Sequence, residues 1–535
     1  MFDGKIRWWM IAGGALLLLL FIGIAIASWR ARQMEERLRV MVEQELSERF
    51  QSKAELKALH VQVFPRIGVV GEGLTLRHHN RTDIAPLIQV ERFSFSTGLI
   101  SLIRPTKHID IVHVDELKIT LPPRGEHGKQ PGLQENQKPE NSNLPKTILD
   151  KIVCHDAHIF TTPNKQGKEP LEWEIHDLVL DKVDWDKPFA FHGTLTNGKP
   201  VGEIATHGQF GPWDADEPGD SPVAGEYIFK DADLGPFPGI AGTLSSTGKF
   251  NGQLNELAVN GATDTPNFSL DKVGKPVPLH TEFDATVDGT NGDTLLHPVR
   301  ATLGKSLIFA EGKIVQVPKE GHLIVLDASV PQGRIEDMLS LAISSEKPLM
   351  TGPVRLKAKL TIPPGKVKAL EKLILDGSFG VEDAKWSSPE VRDKLESLSR
   401  HAQGKPDDED MGSSLSDLRG TFHLEKGIIE FRSLTFGVQG ATIDLTGTYD
   451  IRGGDLDFKG HLRLQAKLSQ TVTGAKSFFL KAFDPFFKKN GAGAELPITI
   501  TGTRDKPVFG VSVFHKTIKK EVKTEGDDKK KDQKP

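Results

Sequence analysis

The chain has 535 residues, with 68 Lys and Arg against 72 Asp and Glu and a formal net charge of −4. That balance implies no basic face and excludes nucleic acid as a main partner. A single cysteine, Cys154, excludes an internal disulfide and a thiolate zinc site, and leaves the redox compartment open.

A tail at 1–7, with Lys5 and Arg7, precedes an uncharged run from Met10 to Ala27. The spacing predicts a membrane-spanning helix over 8–29. Leu18 and Phe21 lie in its apolar middle, and Trp8, Trp9 and Trp29 sit at the lipid–water boundaries. At about 1.5 Å per residue the segment reaches roughly 30 Å, the thickness of a hydrocarbon core. A cleaved signal peptide is the alternative, since Ala25 and Ala27 form an A-x-A pattern. The run is longer than such peptides carry, and Trp29-Arg30 is a poor mature start. Lysine and arginine counts around the span leave its orientation unresolved.

Residues 30–52 read as an amphipathic helix from Gln33 to Phe50, with Met34, Leu38, Met41, Val42, Leu46 and Phe50 on one stripe. From about residue 53 to 123 the period falls to two: Leu59, Val61 and Val63, then Leu74 and Leu76, Phe93 and Phe95, Ile109 and Ile111, and Leu117, Ile119 and Leu121. These are half-buried antiparallel strands. Residues 124–145 form a Gly/Pro/Gln/Asn/Lys-rich linker. A central β body follows at 146–405, an acidic loop at 406–414, a C-terminal β unit at 415–515 and a charged, disordered tail at 516–535.

A glycine phrase recurs, as in Gly193-Thr194-Leu195, Gly312-Lys313-Ile314, Gly420-Thr421-Phe422, Gly447-Thr448-Tyr449 and Gly502-Thr503-Arg504. It marks strands that begin at bends or bulges. At ~12–15 residues per strand and turn, roughly thirty strands follow the first helix. Short helices are expected at Arg334–Ile343, at Glu390–Ala402 with Ser388 as N-cap and Pro389 first, and around Ala475–Phe483. The expected fold is mainly β: an N-terminal transmembrane helix, then an elongated antiparallel β body curled into a groove or packed as sandwiches, with a few short amphipathic helices.

No catalytic constellation, metal site or cofactor site emerges. Asp288–Asp293 has a calcium-loop look but lacks EF-hand spacing and reads as a hairpin turn. Ser344-x-x-Lys347 lacks the companion motifs of the serine enzymes. His78 and His79 read as exposed strand or turn residues. The informative features are apolar. Val61, Val63, Leu74, Leu76, Phe93, Phe95, Ile119 and Leu121 would line an apolar surface on which acyl chains could lie, or an ordinary sandwich core; periodicity alone does not separate the two. Phe478, Phe479, Phe483, Phe486 and Phe487, interspersed with lysines, suit a membrane interface, a groove-closing helix or a helix docked on a sheet.

The anchor, the opening Val61-Gln62-Val63-Phe64-Pro65-Arg66-Ile67 and Gly71-Glu72-Gly73-Leu74-Thr75-Leu76, and the closing Leu496-Pro497-Ile498-Thr499-Ile500-Thr501-Gly502-Thr503-Arg504-Asp505-Lys506-Pro507 together resemble the AsmA-like family. The likeness is architectural over most of the chain and motif-like only at its ends. It implies a single-pass inner-membrane protein with a periplasmic β body, related in architecture to bridge-like lipid transfer proteins. It further implies phospholipid as ligand, a role in phospholipid movement toward the outer membrane or in its assembly, envelope proteins as partners, and no catalytic residues. A non-enzymatic assembly factor that binds partners at its sheet edges is the alternative.

Overall fold

The computed structural model describes residues 35–62, 67–97, 107–122, 147–162, 171–198, 200–237, 240–270, 274–317, 319–342, 347–367, 369–405, 407, 416–467, 470–471, 493–503, 506–513 and 516–521. Trp8, Trp9, Leu18, Phe21 and Trp29 lie outside the described residues, as do Val63, Ser344, and Phe478, Phe479, Phe483, Phe486 and Phe487. Among the described residues no helix is long and apolar enough to cross a membrane. The chain is mainly β, with mixed strand pairing and few helices. It divides into two compact units: Met1–Lys230 with Thr247–Val259 and Val287–Gly292, and Asp231–Ser246 with Asn260–Thr286 and Asp293–Pro535.

In the first unit a helix, α1, covers 35–49, within the expected span. It is followed by β1 (Ser52–Gln62), β2 (Ile67–His78), β3 (Ile88–Thr97), β4 (Lys107–Leu121), β5 (Thr147–Thr161), β6 (Glu172–Val183), β7 (Phe189–Gly198), β8 (Val201–Phe210) and β9 (Pro222–Asp233). Each strand pairs with the next. One ladder departs from the expected antiparallel pattern: β4 and β5 run parallel, from Lys107 opposite Thr147 to Leu121 opposite Thr161. A parallel neighbour needs a long return crossing, and residues 122–146 supply it. The linker at 124–145 therefore joins strands that lie side by side; it divides the sequence and not the sheet.

Strands β1 to β6 also change phase along one line. Two residues three apart face the same apolar side in each: Leu56 and Leu59, Gly71 and Leu74, Val90 and Phe93, Val114 and Leu117, Cys154 and Ala157, Ile175 and Leu178. The two residues between them turn to the other side. The pairs skipped in the ladders form a continuous seam: Lys57, Gly73, Glu91, Glu116, Asp156 and His176. Along it Gly73, Glu116 and Asp156 have φ of 66°, 53° and 53°. Because every strand shifts at the same place, cross-strand partners stay matched and the core continues across the seam. Ile111, expected on the apolar side, falls on the other and is 41% exposed, because Val112 and Val114 take the inner positions.

α1 covers the open edge of β1. Its side chains pair with backbone groups that no neighbouring strand satisfies. Glu43 Oε1 accepts from Leu56 N at 2.8 Å, Ser47 Oγ from Ala54 N at 2.9 Å and Glu35 Oε1 from Val61 N at 3.0 Å. Leu38 and Val42 pack on the apolar cluster beneath. Phe50 then joins Trp185 and Trp213, with ring centroids 5.1 and 5.6 Å away.

Next in sequence come β10 (Ile240–Ala241), β11 (Thr243–Gln253), β12 (Glu256–Leu270) and β13 (Val277–Val287). The second unit then runs through β14 (Thr294–Leu303), β15 (Ser306–Val317), β16 (Gly321–Arg334), α2 (Ile335–Ala342), β17 (Met350–Thr351), β18 (Pro353–Ile362), α3 (Ala369–Lys372), β19 (Ile374–Trp386) and α4 (Pro389–Ala402). It continues with β20 (Ser416–Glu425), β21 (Ile428–Val438), β22 (Ala441–Asp450), β23 (Asp455–Leu464), β24 (Ala494–Thr503), β25 (Lys506–Val513) and β26 (Lys516–Glu521), the last formed by the start of the tail expected to be disordered, which pairs antiparallel with β25. From β14 to β26 the long strands form an antiparallel meander, with short β17 beside β19. α2 and α4 match the expected helices, and Ser388 Oγ accepts from Val391 N at 3.4 Å as the N-cap. α3 carries no clear periodic signal and was not expected.

Candidate functional site

The second unit's sheet has two chemically distinct faces, and the register makes the apolar one continuous. One row reads Leu326, Leu360, Leu375, Leu424, Ile429, Tyr449, Leu456 across β16 and β18–β23. The next reads Ala328, Ala358, Gly377, Phe422, Phe431, Gly447, Phe458, Ile500. A third reads Val330, Leu356, Phe379, Gly420, Leu434, Leu445, Gly460, Ile498, and a fourth runs from Val354 through Val381, Leu418, Phe436, Ile443 and Leu462 to Leu496.

Glycine is part of how these rows fit together. Gly242 immediately precedes β11, as expected, and Gly420 adjoins a bulge at Thr421–Phe422, but Gly193, Gly312, Gly420 and Gly447 lie inside strands and do not start them. They stand opposite bulky residues: Gly420 opposite Phe379, and Gly447 opposite Phe431 and Phe458. Gly377 shows the reason. A Cβ there would come within 2.7 Å of the Phe422 ring and 2.8 Å of the Lys357 carbonyl oxygen. The ring takes the space that a side chain would fill.

Burial separates an open face from a closed core. A second sheet packed at ~10 Å would bury the middle rows completely. Phe422, Phe431, Leu356, Phe379, Leu434, Ile498 and Ile500 are instead half-buried. Full burial concentrates at one end. There α2 sets Ile335, Met338 and Leu339 on Met350, Val354, Val381 and Ala384, and α4 sets Leu395 and Leu398 on Val438 and Ala441. Away from that end burial is uneven: Leu424, Phe458, Leu445 and Val330 are buried, while their neighbours in the same rows stay half-buried.

The opposite face is polar. Glu311, Asp327, Lys359, Asp376, His423, Glu430, Thr448 and Asp457 stand in register across it. His423 Nδ1 lies 2.9 Å from Asp376 Oδ1, and Arg432 donates to the same oxygen at 3.4 Å. These are cross-strand polar contacts on the partly exposed face. Among the described residues no group of His, Cys, Asp or Glu could hold a metal ion. The Asp288 loop is a hairpin turn: the Asp288 carboxylate accepts from Thr290 N at 2.9 Å and Asn291 Nδ2 at 2.6 Å, and Asp293 accepts from Gln316 N at 2.7 Å. His78, expected to be exposed, is 6% exposed at the end of β2, opposite Ser52.

In the first unit Phe93 belongs to the core cluster, with Val61, Leu74, Phe95 and Ile119 packed against it. Leu76 joins a separate cluster with Phe50, Ala54 and Leu87, and Leu121 is 9% exposed. These residues therefore share one side of the sheet, partly covered by α1. The second unit's face carries further half-buried apolar residues, which the sequence reading did not single out. Its local signal is faint: Gly377-Ser378-Phe379, Gly420-Thr421-Phe422 and Leu462-Arg463-Leu464 alternate as strands do, without marking a shared face. Cys154 is buried in the first cluster; desolvation, with the nearby Asp115 charge, pushes its thiol up to about 12. Compared with known proteins, the chain matches no family model, no curated protein and no solved structure.

Proposed function

We propose that this is an AsmA-like, membrane-anchored lipid-binding protein, held by residues 8–29 in the bacterial inner membrane with its β body in the periplasm. It takes phospholipid onto an apolar β face, curled as a groove, and supports lipid transport toward the outer membrane. The mechanism is shielding: each CH₂ kept from water is worth about 0.8 kcal/mol, and no bond is made or broken. The observation that carries the reading is the half-burial of Phe422, Phe431 and Leu434 in the middle of these rows. Such residues are too apolar for an ordinary solvent face and too accessible for a closed core.

The assembly-factor alternative relies on open sheet edges. At β1 the edge is taken by Glu35, Glu43 and Ser47 of α1, which speaks against partner strands there. Native mass spectrometry of the purified full chain tests the reading. Bound phospholipid is the expected result. A lipid-free protein that also takes up no fluorescent phospholipid would sink it. A reporter fused at the C-terminus should be active in the periplasm; activity only in the cytoplasm overturns the orientation.

A further inference from the structure

The polar face of the second unit is not uniform. An open concavity of about 670 Å³ crosses β15, β16, β18 and β19, within the size range of small-ligand sites. Two rows in register border it. Phe309, Ser329, Lys357 and Ser378 form one; Glu311, Asp327, Lys359 and Asp376 form the other. Between the rows, Ala328 and Ala358 turn their side chains to the apolar side and leave backbone as the floor. The ladders on its β14–β15–β16 side are irregular, between Leu296 and Val299 and between Leu307 and Phe309. Bulges bend a strand and re-aim its side chains. Phe309 stands beside one of them, 37% exposed on an otherwise polar face.

Around the concavity the charges are paired. Arg300 lies 3.6 Å from Glu282, Arg355 2.8 Å from Glu382 and His423 2.9 Å from Asp376. Inside it they are not. The side chains of Glu311, Asp327, Lys357 and Lys359 are exposed and have no ion-pair or hydrogen-bond partner among the described residues. Lys359 stands in register between Asp327 and Asp376 and pairs with neither. Two cations and two carboxylates cancel. A ligand of one charge gains from one pair and is repelled by the other. A hydroxyl both donates and accepts, so a neutral, hydroxyl-rich ligand accepts from the lysines and donates to the carboxylates. Ser329 and Ser378 extend the same set. The Phe309 ring supplies an apolar surface for the C–H face of a pyranose. Neighbouring partners along each row are about 4.8 Å apart, close to the length of one hexopyranose in an extended chain.

We propose that this concavity binds a neutral oligosaccharide laid across β15, β16, β18 and β19, one sugar per strand. One ring stacks on Phe309, and hydroxyls meet Asp327, Lys357 and Lys359. The site lies on the side of the sheet opposite the apolar rows and does not depend on the lipid-binding reading. The test adds cellotetraose or chitotetraose to the detergent-purified full chain and reads binding by saturation-transfer NMR, with tetragalacturonate, tetraglucosamine and tetraalanine as anionic, cationic and zwitterionic comparisons. At least one neutral tetrasaccharide should bind more tightly than each of the three charged probes. Phe309→Ser should weaken it about tenfold, the loss of one ring contact, and K357Q/K359Q by a similar factor. Lys459→Gln, on the same face but outside the concavity, should leave it unchanged. The lysine variant replaces exposed side chains only, so it decides the matter even if Phe309→Ser fails to fold. Binding of neither neutral tetrasaccharide, equal or tighter binding of a charged probe, or neutral binding that K357Q/K359Q does not weaken overturns the proposal.

Discussion

Single side chains report on how tightly the sheets are packed. Cys154 is 2% exposed, and its thiol is raised to about 12 from an ordinary 9.0. The folded chain therefore holds that proton more tightly than the unfolded chain does. Its contribution to stability is complete below pH 9.0 and is lost as pH rises from there toward about 12. Urea midpoints across that window should fall more steeply for the wild type than for Cys154→Ala, and parallel slopes would refute the assignment. Gly377→Val pushes a side chain into the Phe422 ring and should destabilise by about 1–3 kcal/mol in thermal melts. An unchanged melting temperature would mean that the Gly–Phe fit is loose.

At the scale of elements, two devices keep the first unit's sheet in order. The seam adds a residue to six neighbouring strands at one line, and Glu116 and Asp156 adopt left-handed backbone to do it. That conformation costs a non-glycine residue about 1–2 kcal/mol. Glu116→Gly should thus match or exceed wild-type stability, although glycine usually weakens a strand, whereas Glu116→Val should melt lower. The reverse order would contradict the seam. The second device is the cover on β1. Glu43→Ala leaves the Leu56 N–H without its acceptor and should cost about 1–3 kcal/mol, while Glu43→Gln retains an acceptor oxygen and should cost less. Light scattering should rise with Glu43→Ala if the freed edge recruits other strands.

How far the sequence disclosed these elements follows from their periods. Helical stripes and the Ser388-Pro389 start locate α1, α2 and α4, because caps and 3.6-residue spacing are local signals. Alternation located the strands but assumed one phase along each. The Val114-Asp115-Glu116-Leu117 and Cys154-His155-Asp156-Ala157 steps break that phase, and their alignment is visible only once neighbours are in register. The parallel junction of β4 and β5 was hidden for the same reason, since a polar linker looks alike whether it separates sheets or crosses back over one. Alternation in the first unit points to Val61, Leu74, Phe93 and Ile119 as candidate lipid-face residues. On the second unit's face glycines alternate with phenylalanines, and that dilution hid a surface which only cross-strand pairing makes continuous.

For the whole molecule, the central claim is that one side of the second unit's sheet is a lipid surface and the other is not. Leu375, Phe422 and Phe431 stand on the first side, Thr448 and Lys459 on the second. A reading based only on overall hydrophobicity would not distinguish neighbours along one strand. The most direct measurement places a photocrosslinking side chain at each of these five positions in the full chain, expressed in cells, and assays each for lipid adducts. Adducts at 375, 422 and 431 with none at 448 and 459 is the predicted result. Adducts at none of the five, or equally on both sides, would contradict the account.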